Sequence, residues 1–576
     1  MVARTAGRRA APSRERGARL VSALAEVDAS FTPEGRARKR ELLAALDAAA
    51  VTRPSTLRQL HEILSFLQAY PDDRDILARV DRLLHRFAAR VTVLAPRSLR
   101  RLHDSGIVGS TIEYPFGLPM ARWLAARLGD RADVAWGSVP DEERVAEVLD
   151  LLVTPAERDA FSEGGVTVRH WVETARGGRS LTDLEVLIEA FDRAPLEPEL
   201  RDWLYESLAL PIRARLDGQT SRTLAKRPVP RLTFQRTPIR RSGIDLVSEA
   251  TRPLPAWRRA PPPLARELIE TARVAMATRS RELHAFSYPN PDDVVVGDLG
   301  RGLRGTLIGL APASRLPFEG YYAFLVVRNG VPVAYGGGWC LFETLEFGFN
   351  VFESFRKGES AFILGQVLRA YHHAFAMRTV VVDPYQLGAD NLEALRSGAF
   401  YFYHRLGFRP RDPEILAVLE GELAKIEVDR GYRSSLPVLR RLARNEAYLR
   451  LPGGSREPER RVRARDLGGL VTREIARRGD RRVAAREAVR RIAAILGATR
   501  RKSWPPAARQ AFDTWALVLA LVPDLERWPL AERRRLVRVI QAKGNPSEAA
   551  YVRRLAAHAR LWRSLATLVR RPPPGA

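Results

Sequence analysis

The stretch Phe355-Arg356-Lys357-Gly358-Glu359-Ser360-Ala361 has the residue types of an anion-holding turn. It follows the β-favouring run LEFGFNVFE and opens the apolar-periodic segment SAFILGQVLRAYHHAFA. A helix starting there presents unpaired N–H groups and the positive end of its dipole, a seat suited to phosphate. Gly358 lets the backbone approach such a group closely, and Ser360 is small and adds a hydroxyl. Glu359 places a negative charge at the same spot. The alternation of Leu345, Phe347 and Phe349 against Glu346, Gly348 and Asn350 sets Glu346 and Asn350 on one face of a strand. Glu343 lies just before that strand. Asp383 ends the apolar run RTVVVD, where it shapes the turn at Pro384. Further on, Tyr403 sits among Phe400, Tyr401 and Phe402.

Other chemistries find little support. His372 and His373 are adjacent, so they point to different sides of their helix and do not form the i, i+4 pair of a helical metal site. No HExxH, GxxxxGK[ST] or GxSxG motif occurs. The single cysteine, Cys340, excludes an internal disulfide framework and cysteine-rich zinc sites. The glycine-rich DLGRGLRG at 298–305 lacks dinucleotide-fingerprint spacing and is expected to be a bent turn, lining a substrate entrance.

The elements that position these residues follow from periodicity. Residues 1–215 are expected to form an all-helical N-terminal domain, with three- and four-residue apolar spacing in LRQLHEILSFLQAY and RDILARVDRLLHRFAAR. The β-favouring GSTIEYPFG at 109–117 interrupts that pattern and reads as a loop contacting another domain. Residues 216–263 are rich in Pro and Arg and lack helical periodicity, as a linker or strap would. Residues 264–454 start with a helix and become β-rich. In YYAFLVVRNGVPVAYGG two β-favouring runs flank Asn329-Gly330, the dipeptide of a tight hairpin. A strand, a helix, the strand RTVVVD, the helix NLEALRSGAFYFYHRL and GFRP follow. Residues 455–576 are expected to be a basic helical C-terminal domain.

Charge and hydropathy bound the setting. The 576 residues carry a formal net charge of +27, and all but six of the 94 basic residues are Arg. From Ser455 onward 29 basic residues face 11 acidic ones, so the excess belongs to the C-terminal segment. That excess suits nucleic acid or an acidic partner. Trp504, Trp515, Trp528 and Trp562 in that segment read as anchors of helix packing. The best apolar run there, WALVLALV, is far short of the ~20 residues that span a bilayer. With no secretory signal in MVARTAGRRAAPSRERGARL, a cytoplasmic protein that makes no membrane contact is expected.

The order hairpin, strand, loop, helix, strand, helix, strand, with the two motifs FRKGES and GAFYFYHRLGF, resembles the acyl-CoA-binding core of the GNAT acyltransferase superfamily over residues 290–412. The first motif is similar to the family's Gln/Arg-x-x-Gly-x-Gly/Ala loop, with Phe355 standing at the usual Gln or Arg. The second is similar to its Ala-x-x-x-Tyr-x-x-x-Gly-Phe, matched by Ala399, Tyr403, Gly407 and Phe408. The family's usual Asn in that helix falls at Arg396, with Asn391 five residues earlier. The resemblance implies an α+β fold, a GNAT-like mixed central sheet with flanking helices. It implies acetyl-CoA or another acyl-CoA as co-substrate, no metal, and an amine acceptor. It makes Arg356, Lys357, Gly358, Glu359, Ser360 and Ala361 the cofactor loop. Tyr403 would protonate the departing thiolate, and Glu346, with Glu343 and Asp383 as lesser candidates, would deprotonate the amine. A second expectation is a non-catalytic scaffold with a degenerate core and a basic tail for nucleic acid or an acidic partner; Phe355 and Glu359 favour it.

Overall fold

The computed structural model describes all residues except 1–9, 163–165, 241, 256, 455–460 and 571–576. The first nine residues, the boundary set at Ser455 and the closing PPPGA lie outside the described residues. Within 1–215 the helices hold three short strands, β1 (Thr111–Tyr114), β2 (Ala132–Val134) and β3 (Ile212–Arg215). They form an antiparallel sheet in the order β1-β3-β2, so the all-helical expectation is corrected. Strands of three or four residues are too short to show a period of two against the surrounding helical pattern. The interruption GSTIEYPFG contains β1. These strands close their own core, with Ile112, Leu124, Leu187, Phe191 and Ile212 all fully buried. The helices before residue 108 belong to a different core, which they share with the central sheet.

That sheet is mixed. Its strands are β4 (Arg258–Arg259), β5 (Pro289–Gly300), β6 (Leu303–Leu310), β7 (Gly320–Arg328), β8 (Val331–Leu341), β9 (Thr344–Val351), β10 (Thr379–Val382) and β11 (Ala447–Arg450). They run in the order β11-β10-β9-β8-β7-β6-β5-β4. Every neighbouring pair is antiparallel except β9 and β10, which are parallel and joined by the helix Ser360–Phe375. A parallel pair requires such a crossover. The β7–β8 hairpin turns at Asn329 (φ 48°) and Gly330 (φ 84°), the two positive-φ positions of the tight turn that Asn-Gly accommodates. Arg227 O lies 1.9 Å from where a Gly330 Cβ would stand. Gly330→Val is therefore expected to cost about 2–3 kcal/mol through overpacking and strain together; a urea midpoint equal to that of the parent chain would contradict this.

The Ser360 helix covers one face of the sheet with Phe362, Ile363, Val367, Tyr371 and Phe375, all buried. Tyr371 donates a hydrogen bond to Tyr322 O, and its ring lies over Gly338, where a Cβ would come within 2.7 Å of it. After β10 come the helices Pro384–Leu387, Leu392–Ser397 and Ala399–Arg405. The last two were expected as one; Gly398 at φ 71° separates them. The expected strand at GFRP is reduced to one bridge, Arg409 to Tyr448 on β11.

The C-terminal helices pack on the sheet. Trp515 is fully buried and meets Phe318 edge-on at 5.1 Å. Asp293 on β5 accepts hydrogen bonds from Ser547 Oγ and the Glu548 N–H, at 2.6 and 2.8 Å. Of the other tryptophans expected to anchor packing, Trp528 is buried, and Trp504 and Trp562 are partly so against the same core. No helix among the described residues is long and apolar enough to cross a membrane.

Candidate functional site

β9 and β10 pair only from Thr344–Glu346 to Thr379–Val381. Beyond that point β9 continues to Val351 while β10 stops at Val382, so the two strands part. The helix Pro384–Leu387 enters the opening and brings Gln386 beside Gly348, 3.6 Å from where a Cβ would stand. A slot of about 260 Å³ remains between the end of β9 and the two helices that follow. Asn350, Ser360, Gln386, Asn391 and Tyr403 line it, with Phe349 and Phe402 as apolar walls. Asn391 is held in place as an N-cap, its Oδ1 accepting the Ala394 N–H at 3.0 Å. Tyr403 is buried edge-on between Phe402 and Phe408, each ring centre 5.3 Å away. Burial pushes its phenol above its ordinary value, so the Tyr403 hydroxyl stays a neutral O–H donor.

The loop expected to cradle phosphate divides between two sides. Arg356 and Ser360 line the slot. Lys357 turns to the N-terminal helices, pairing with Asp28 above the Phe66 ring. Gly358 has Tyr70 against it: a Cβ there would stand 2.7 Å from the Tyr70 hydroxyl. The glycine admits Tyr70 at the place assigned to a phosphate. The loop also spends some of its N–H groups internally, Arg356 N–H on Glu353 O at 3.3 Å and Gly358 N–H on Phe355 O at 2.8 Å. Glu359 is 3% exposed and is held by Arg328 at 2.7 Å and Arg301 at 3.0 Å. Ala361 is buried in the first turn of its helix.

The candidate base behaves otherwise than expected. Glu346 pairs with Arg461, which also binds Glu446 at 2.8 Å, and it does not line the slot, although Asn350 on the same face does. Glu319, just before β7, is a carboxylate that sequence patterning did not single out. Burial raises its carboxyl above the usual range, and the nearby Glu346 raises it further. It lies in an irregular segment with no periodicity or motif to mark it. Glu343 lies in the β8–β9 turn, at the other end of β9 from the slot. Asp383 accepts the Tyr385 N–H at 2.8 Å and so shapes its turn as expected. His372 Nδ1 meets Met377 O at 2.7 Å and His373 Nε2 meets Arg252 O at 3.0 Å; among the described residues no cluster of His, Cys, Asp and Glu suits a metal.

A larger groove, about 970 Å³, runs between the helix Pro54–Ala69 and the loop, with Arg53, Arg58, Glu62 and Lys357 in its walls. Arg356 borders both groove and slot. Glu62 ties the two sides together, binding Arg222 at 2.7 Å and the Ser354 hydroxyl. Beside it His61 is fully buried, its Nε2 3.0 Å from Thr223 Oγ1. Burial first, then the neighbouring Arg222, pushes its imidazole down to about 3. The unfolded chain takes up this proton near pH 6.5 while the folded one refuses it. Stability is then complete above about pH 6.5 and falls as pH drops toward 3, by up to ~1.4 kcal/mol per pH unit. Urea unfolding of the parent and His61→Gln across pH 4–7 is expected to give a shallower dependence for the variant; identical slopes would count against it.

No protein-family model, curated protein or solved structure matches this chain.

Proposed function

We propose that the chain is an acyl-CoA-dependent N-acyltransferase with a GNAT-like core, transferring an acetyl or other acyl group to an amine. The observation that carries this reading is the slot opened where β9 parts from β10, with Tyr403 in its wall. An extended thioester arm fits between two parted strands because β9 past Glu346 has no β10 partner and can hydrogen-bond a ligand instead. Asn350, Gln386 and Asn391 supply polar contacts along that arm. Arg356, at the mouth, provides a cation for the diphosphate even though it already pairs with Glu393. A backbone N–H of β9 would polarise the thioester carbonyl. The acceptor amine loses its proton to a carboxylate; Glu346, paired with Arg461, and Glu319, with its raised carboxyl, are the two to compare. The departing thiolate takes its proton from the neutral Tyr403 hydroxyl, which burial makes a weaker acid than a free phenol.

A second reading is supported by the loop itself. Tyr70 against Gly358 and the Glu359–Arg328 pair occupy the helix start that a diphosphate would use. They favour a non-catalytic scaffold or regulatory role, with the basic C-terminal helices meeting nucleic acid or an acidic protein. Calorimetric titration with acetyl-CoA and longer acyl-CoAs separates the two. Saturable binding that Ser397→Trp abolishes supports the enzyme, since Ser397 is an exposed residue at the slot. No binding of any CoA species by the folded chain would leave the scaffold.

A further inference from the structure

A second cavity, about 330 Å³, lies on the other side of Glu359 from the slot. Its walls come from the strap at 233–240, the β5–β6 turn at Arg301, and Arg328 at the end of β7. Among the described residues four arginines face it, Arg236, Arg240, Arg301 and Arg328, and Glu359 is the only carboxylate in its lining. That one acid is shared: Arg328 takes one of its oxygens and Arg301 the other. Among the described residues neither Arg236 nor Arg240 pairs with a carboxylate. The lining thus holds four positive charges against one negative.

The arrangement is built and held. Arg328 is fully buried, stacked at 4.0 Å over the Tyr70 ring, and fixed by Ala69 O and Gln235 Oε1. Arg301 stacks at 4.1 Å over Phe362. Arg240 is tied to the Ser242 and Gly243 carbonyls. Thr233 and Thr237 add hydroxyls to the wall. Four guanidinium groups around one cavity make its lining strongly positive, which attracts an anion, and guanidinium groups match phosphate oxygens in pairs.

We infer that this cavity binds a phosphorylated, multiply anionic small molecule. The phosphate comes either from the acyl-CoA itself, a source that rests on the reading above, or from a separate phosphorylated metabolite. Isothermal titration of the full chain with inorganic pyrophosphate tests the site. One-to-one saturable binding is expected, weakened at least 10-fold by Arg236→Glu and by less for Arg236→Lys, which keeps the charge but loses the paired guanidinium contact. Arg236 is exposed, so the substitution leaves the fold intact, as circular dichroism would verify. No saturable binding to the parent chain, or equal binding by Arg236→Glu, overturns the inference. Coenzyme A and 3′-dephospho-coenzyme A then identify the source. If Arg236→Glu weakens only the former, the phosphate belongs to the co-substrate. If it weakens pyrophosphate but neither cofactor, the ligand is separate. Failure of every CoA species to bind sinks the acyltransferase reading and leaves the pyrophosphate result standing.

Discussion

Tyr403→Phe is expected to lower kcat for acyl transfer by about 100-fold while changing acyl-CoA affinity less than about 3-fold. The substitution removes one oxygen and keeps the ring that Phe402 and Phe408 enclose. General acids of this kind contribute 10²–10⁴-fold. Because burial raises the phenol, Tyr403 stays protonated across the neutral range and contributes no falling limb to the rate below about pH 10. Steady-state kinetics with a thiol-detecting readout measures both parameters. Unchanged kcat would make Tyr403 a wall of the slot and nothing more.

The largest stability effect is expected at Glu359. Its removal leaves Arg328 buried without its counter-charge, and such losses cost about 3–5 kcal/mol. Glu359→Ala should lower the urea midpoint accordingly. The double variant Glu359→Leu with Arg328→Met should recover most of the loss, because two apolar groups leave no unpaired charge. A loss below about 1 kcal/mol in the single variant would mean that water reaches Arg328 in solution. These partners explain the presence of Glu359 in a turn that otherwise suits an anion: the carboxylate serves Arg301 and Arg328 before it meets any ligand.

Local signals in the sequence carried the centre of the fold. Asn329-Gly330 marked the hairpin, and the alternation in 345–350 and the apolar periodicity after Ser360 marked β9 and its helix. The bent turn at 298–305 is the β5–β6 connection, with Gly300, Arg301 and Gly302 all at positive φ. Pairings between distant segments were not legible. Tyr70 meets Gly358 and Arg461 meets Glu346 across long stretches of chain, and no spacing rule reports such contacts. The same limit hid β11, a four-residue strand whose identity depends on β10 beside it. It also hid the arginine cavity, because Arg236, Arg240, Arg301 and Arg328 belong to separate turns that only the fold brings together.

Part of the candidate site was legible. The order of motifs pointed to Arg356, Ser360 and Tyr403, which line one slot. Lys357, Gly358 and Glu359 lie in the same loop but serve its packing against the Pro54 helix and the strap. Residue type alone cannot distinguish a glycine that admits a phosphate from one that admits a tyrosine.

A crystal structure of the chain grown with saturating coenzyme A would locate the thiol arm. Density is expected for the thiol arm between β9 and the Ala399 helix, with the sulfur within hydrogen-bond reach of the Tyr403 hydroxyl and the diphosphate near Arg356. An empty slot with coenzyme A bound elsewhere, or crystals without bound cofactor, would contradict this placement.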